Sequence, residues 1–268
     1  MKVRLGASRW KVLAATALAT MAATTVPGTV SAVAETVPGK ASAVADGTRV
    51  AQSQHWGVIT RNTIGSPVAA LRDGPFVTGT NGSPPYGNGS LGIEVANHAT
   101  SESNPAEKVD FGNEVDFRGE NFLQLDRVGF QVFQTSENVG YGGGTNLPGL
   151  RFEIDPNLSS VSDNYTVAVW QPDPVPITSL NRWSPYLDAT TTGNWYLTGG
   201  ETHCTQATPC SFADLQTSLD DGGSTPSILT VAVSKGRDNL WAGAVDGLRL
   251  NQYVYDFEAN GVNARRVR

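Results

Sequence analysis

The chain is short of the residues on which most enzyme chemistry rests. Its 268 residues include three histidines, two cysteines and two methionines, and only 16% carry a charge. His55, His98 and His203 stand far apart in the chain. No Gly-x-Ser-x-Gly elbow, His-Glu-x-x-His pair or phosphate-binding glycine loop occurs, so the usual nucleophile, zinc and nucleotide motifs are missing. Lys and Arg number 19 against 25 Asp and Glu, which excludes the basic footprint of a nucleic-acid binder. No segment carries three turns of helical periodicity, which excludes a helical bundle. One long apolar stretch exists, residues 12–26, and it is shorter than the roughly 20 residues that cross a bilayer.

That stretch belongs to a different device. Lys2, Arg4, Arg9 and Lys11 precede it and Ala32-Val33-Ala34 follow it, which is the charged flank, apolar run and small-residue cleavage site of a secretory signal peptide. Residues 1–34 are therefore expected to be removed after Ala34, leaving a secreted, extracellular chain. The removed segment holds four basic and no acidic residues, so the net charge moves from −6 to −10. No lipidation cysteine follows the cleavage site and no apolar tail closes the sequence. The expectation is a monomer without membrane span or nucleic-acid partner. Residues 35–53, rich in Ala, Val, Thr and Ser, read as a disordered leader, and residues 54–268 as the folded domain.

What is abundant is turn chemistry: 29 Gly and 15 Pro, gathered in clusters such as Asn81-Gly82-Ser83-Pro84-Pro85, Gly142-Gly143-Gly144 and Asp221-Gly222-Gly223. Between the clusters lie short runs with period-two alternation, at residues 55–60, 90–95, 123–134, 150–154, 165–171, 228–234, 240–250 and 254–258. Such strands bury one face and wet the other. Residues 211–216 predict a short helical turn, with Ser211 as its cap and Phe212, Leu215 and Leu219 on one face. The fold class is all-β: a single two-sheet antiparallel β-sandwich, a jelly roll, with at most one or two short helical turns. Cys204 and Cys210, close in sequence and exported, are expected to form a disulfide.

Four stretches, in order, are Gly87-Asn88-Gly89-Ser90-Leu91, Asp116-Phe117-Arg118-Gly119, residues 241–248 (Trp-Ala-Gly-Ala-Val-Asp-Gly-Leu) and Tyr255-Asp256-Phe257-Glu258. In these the chain resembles secreted bacterial jelly-roll domains similar to carbohydrate-binding modules and concanavalin A-like lectins, a group of mostly unknown role. The resemblance implies a sandwich more than it implies a function, because one sandwich hosts many functions.

Three constellations are candidate sites. Glu114, Asp116 and Glu120 carry the residue types of a retaining glycosidase, which needs a nucleophile and an acid/base about 5 Å apart. Concanavalin A-like glucanases present Glu-x-Asp-x-Glu on a strand; here the spacing is Glu-x-Asp-x-x-x-Glu. Asp246, Asp256 and Glu258, on the closing strands, are a candidate structural calcium site, since that cation collects oxygen ligands; no other cofactor is expected. Trp183, Tyr186, Trp195 and Tyr196, with Asn181 and Asp188 among them, are a candidate platform for a polysaccharide or cell-surface glycan, rings for sugar C–H faces and polar groups for hydroxyls. Trp170 and Trp241 are expected in the core. The leading expectation is a non-catalytic glycan- or surface-binding protein. The alternatives are a polysaccharide hydrolase acting through Glu114 and Asp116, and a structural envelope or matrix protein.

Overall fold

Why the alternating runs become two sheets is plainest in Leu150-Arg151-Phe152-Glu153-Ile154. Leu150, Phe152 and Ile154 are fully buried, and Arg151 and Glu153 project to the opposite side, as a pleated strand requires. A computed structural model describes residues 51–96, 107–162, 164–176 and 180–267. The expected signal peptide, residues 35–50 of the expected leader, and His98 lie outside the described residues.

In chain order the strands are β1 (Ala51–Ser53), β2 (Trp56–Val58), β3 (Val68–Asp73), β4 (Gly89–Val95), β5 (Lys108–Asn113), β6 (Val128–Gln134) and β7 (Gly149–Asp155). They continue as β8 (Thr166–Gln171), β9 (Leu187–Asp188), β10 (Asn194–Leu197), β11 (Ser227–Gly236), β12 (Trp241–Leu250), β13 (Tyr253–Glu258) and β14 (Gly261–Arg266). One α-helix, α1 (Phe212–Leu219), stands between β10 and β11.

One sheet contains β4–β12–β6–β9 and the other β5–β11–β7–β8, all paired antiparallel. The chain passes from one sheet to the other between β4, β5, β6 and β7, and again between β11 and β12. These two interleaved four-strand sets make the fold a jelly roll. Outer strands extend both sheets: β3 beside β4, β2 beside β5, β10 beside β8, and a β13–β14 hairpin with β1 along it. Strand β12 has two successive partners on one edge, β4 over Trp241–Val245 and β13 over Leu248–Leu250, with β6 on its other edge. The changeover falls at Gly247, where φ is +65 and the register against β6 shifts.

Several stretches differ from their sequence-based expectation. Residues 51–53, assigned to the leader, pair as β1 with Ala264, Asn263 and Val262, so these three residues belong to the sheet. The run 123–134 is not one strand: Asn121 accepts the Leu123 N–H and sets a 3-10 turn over Phe122–Gln124 before β6 begins. Strands β3, β5, β9, β10 and β14 were not among the expected strands. The helix stands where expected, with the Ser211 hydroxyl accepting the Asp214 N–H at 3.1 Å and Phe212, Leu215 and Leu219 buried.

Between the sheets the core is aromatic. The Phe130 and Trp170 rings meet edge to face at 5.5 Å, and Trp195 packs with Phe122, Phe152 and Phe212. Trp170 and Trp241 are fully buried, as expected. Cys204 and Cys210 are disulfide-bonded, and Cys210 exchanges both main-chain hydrogen bonds with Trp195 at 2.8 Å, tying the loop to β10. Among the described residues no helix is long and apolar enough to cross a membrane.

Candidate functional site

The expected aromatic platform is dispersed by the alternation of its own strands. Trp183 is buried against Phe133, ring centroids 5.7 Å apart, and its Nε1 donates to the Pro75 carbonyl. Trp195 lies in the central core, its Nε1 donating to Ala189 O at 2.6 Å. Its neighbour Tyr196 necessarily points the other way, onto the outer face of the six-stranded sheet beside Val167 and Val169. Tyr186 alone of the four is exposed, and burial with Asp188 nearby raises its phenol pKa. Asn181 is a turn residue with φ +54, and its N–H donates to Gln134 O. Asp188 caps its own turn, accepting the Thr190 N–H and hydroxyl. The four-ring surface is therefore corrected: β9 joins one sheet and β10 the other, which parts residues that are close in sequence.

The acidic triplet is corrected as well. β5 stops at Asn113, whose Oδ1 accepts the N–H groups of Val115 and Asp116 at 2.9 Å and turns the chain out of the sheet. Glu114 and Asp116 thus sit in a turn rather than on one strand face. Glu114 is held by Arg61, and Asp116 accepts from His55 Nδ1 at 2.6 Å and Asn113 Nδ2 at 2.8 Å. Glu120 is exposed at the end of the turn, its carbonyl accepting from Ile228.

Asp246, Asp256 and Glu258 do converge, under the loop Gly87-Asn88-Gly89. Asp246 is fully buried; its Oδ2 accepts the Tyr86 N–H at 3.1 Å and its Oδ1 the Phe257 N–H at 3.0 Å. Glu258 Oε1 accepts the Asn88 N–H at 2.8 Å, and the Arg265 guanidinium donates to Asp256 Oδ2. Burial pushes the Asp246 pKa up to about 8, and pushes Asp256 up to about 6 against the pull of Arg265. Calcium wants six to eight oxygens, whereas here main-chain N–H groups and a guanidinium already donate to four of the six carboxylate oxygens. Among the described residues no three acidic, histidine or cysteine side chains are arranged to hold a metal ion. The residues present do not fit a calcium cage; Arg265 supplies the positive charge.

A fourth location was not singled out from sequence. A groove of about 530 Å³ lies on the outer face of the six-stranded sheet, bordered by Tyr196, Lys108, Arg151, Gln171, Asn194 and Gln206. Beneath it Asp110, 1% exposed, accepts from the Ser234 hydroxyl at 2.5 Å, with Arg151 Nε at 3.2 Å and Lys108 Nζ at 3.5 Å. Burial lowers the Lys108 pKa, opposed by the charge of Asp110. One residue pair further along β7, Glu153 is buried but ionised. Burial would raise its pKa, and hydrogen bonds from Asn62, Thr230 and Arg61 outweigh it and hold the pKa down. The sign that could have found this face is the alternation in β7 itself, which places Arg151 and Glu153 together on the side away from the core.

A second depression of about 370 Å³ is lined by Pro174, Pro185, Tyr186 and Asp188. It gathers two of the expected platform residues, Tyr186 and Asp188, and shares Asp173 and Pro174 with the border of the first groove. No protein-family model, curated protein or solved structure matches the chain.

Proposed function

We propose that this chain is an exported, non-catalytic jelly-roll protein that binds glycans in the groove on the outer face of its six-stranded sheet. One observation carries the reading. A single groove gathers a ring on its floor (Tyr196), exposed side-chain amides on its border (Gln171, Asn194, Gln206) and two cationic donors (Lys108, Arg151). Sugars present C–H faces that pack on rings and hydroxyls that exchange hydrogen bonds with amides and charged donors. A rigid sheet holds these groups in fixed positions, which limits the entropy lost on binding. Export rests on the features of residues 1–34.

The hydrolase reading is weaker because Glu114 and Asp116 sit in a turn, each engaged by a neighbouring side chain. The test is retention on a panel of insoluble polysaccharides and a glycan array, comparing the wild type with a Gln171→Ala, Asn194→Ala double variant. Both residues are exposed, so the fold is expected to survive. Retention of at least one glycan class by the wild type and its loss in the variant supports the groove. Failure to retain any glycan, or undiminished retention by the variant, overturns it.

A further inference from the structure

We infer that the sugar taken by this groove is carboxylated, a uronate whose carboxylate meets the guanidinium of Arg151; this rests on the glycan reading above. The first ground is local charge. The chain as a whole is acidic, yet the charged residues that line the groove are Lys108, Arg151 and Arg237 against Asp173 and Asp238. The sign is inverted relative to the whole protein. Beyond about 8 Å at physiological salt the net negative charge of the chain is screened, so contact chemistry decides what settles there.

The second ground is the state of Arg151. Its side chain keeps 20% of its surface, and its Nε lies 3.2 Å from Asp110 Oδ2. That approach lacks hydrogen-bond geometry, and the Nε is sealed from solvent without a partner. Among the described residues the guanidinium donates no hydrogen bond. Asp110 Oδ1 meanwhile accepts from Ser234, and its Oδ2 is flanked by Lys108 as well as Arg151 at ion-pair distance without accepting a hydrogen bond. The planar fork of a guanidinium matches a carboxylate with two parallel hydrogen bonds, a match that neither a neutral hydroxyl nor the point charge of a lysine reproduces. A neutral sugar would leave the outer Nη donors of the guanidinium without an anionic acceptor; a uronate carboxylate pairs them, and Asn194, Gln206 and Gln171 remain for the hydroxyls of the same chain.

Isothermal titration at physiological salt tests this, with polygalacturonate, a neutral dextran and dextran sulfate as probes. The proteins are the wild type, Arg151→Gln and Arg151→Lys, each checked for an unchanged circular dichroism spectrum. Arg151→Lys retains a cation for Asp110, so it keeps the measurement meaningful should Arg151→Gln fail to fold. The expected result is preferential binding of polygalacturonate, weakened about tenfold or more by Arg151→Lys because the fork is lost. Dextran binding at least as tight as polygalacturonate overturns the carboxylate assignment and leaves the glycan reading standing. Dextran sulfate binding as tightly shows charge attraction alone and also overturns it. Undiminished binding by Arg151→Lys moves the carboxylate away from this residue. Binding of no polysaccharide at all removes the glycan reading itself.

Discussion

Asp246 Oδ1 accepts the main-chain N–H of Phe257 at 3.0 Å, so a carboxylate in β12 is fastened to the backbone of β13. Main-chain donors from Tyr86, Gly247 and Phe257 do not offset its complete burial, and its folded pKa stands at about 8 against an ordinary 3.8; Asp256 stands at about 6. Between those values the folded chain binds more protons than the unfolded one. This contribution to stability is therefore fully present below about pH 4 and is lost as pH rises through 6 toward 8. Thermal melts are expected to show Asp246→Asn destabilised at pH 5, where one acceptor is lost, with a smaller fall in Tm between pH 5 and pH 8.5 than the wild type. An equal fall in both proteins would remove Asp246 as its source.

Trp183 is a buried packing residue. Truncation to Ala empties the space against Phe133 and Ala244 and is expected to cost about 3–5 kcal/mol in urea denaturation. Retention on polysaccharide below the melting range should be unchanged. Loss of retention by a protein that is still folded would restore the aromatic platform that the structure disperses.

The Cys204–Cys210 disulfide closes a loop of sequence separation 6. Replacing both cysteines by serine should lower stability by about 2 kcal/mol on the chain-entropy account. Because Cys210 shares two hydrogen bonds with Trp195, hydrogen exchange should quicken first in β10. Uniform quickening throughout the sheet would point instead to a global effect.

Gly87 has φ +54, and a Cβ there would fall 1.5 Å from Glu258 Oε1. Gly87→Ala is expected to displace Glu258 from the Asn88 N–H and to destabilise the fold by about 1–2 kcal/mol, through backbone strain and the loss of that hydrogen bond. A melting temperature within error of the wild type would show that the loop moves aside freely.

The strands with the cleanest alternation were legible: Leu150, Phe152 and Ile154 fix β7, and Ser211 with Phe212, Leu215 and Leu219 fixes the helix. β5 was hidden because Val109 and Phe111 are set among Lys108, Asp110 and Gly112, residues whose β-preference depends on packing that only the sheet supplies. The acidic triplet misled because the strand end is decided by one side chain, Asn113, folding back on its own backbone. The rings misled for a different reason. Nearness in sequence says nothing about which of two sheets a strand joins, so β9 and β10 parted; within β10 the pleat sent Trp195 and Tyr196 to opposite faces, and the groove formed from β5, β7, β8, β10 and β11 together.

Ala51 faces Ala264 across the β1–β14 ladder, so the polypeptide enters and leaves the sandwich along one seam. A tension applied between the two ends would load three residue pairs end-on and open them one at a time, in the manner of a zipper. The strands that carry the groove belong to the other sheet and take none of that load until the seam is spent.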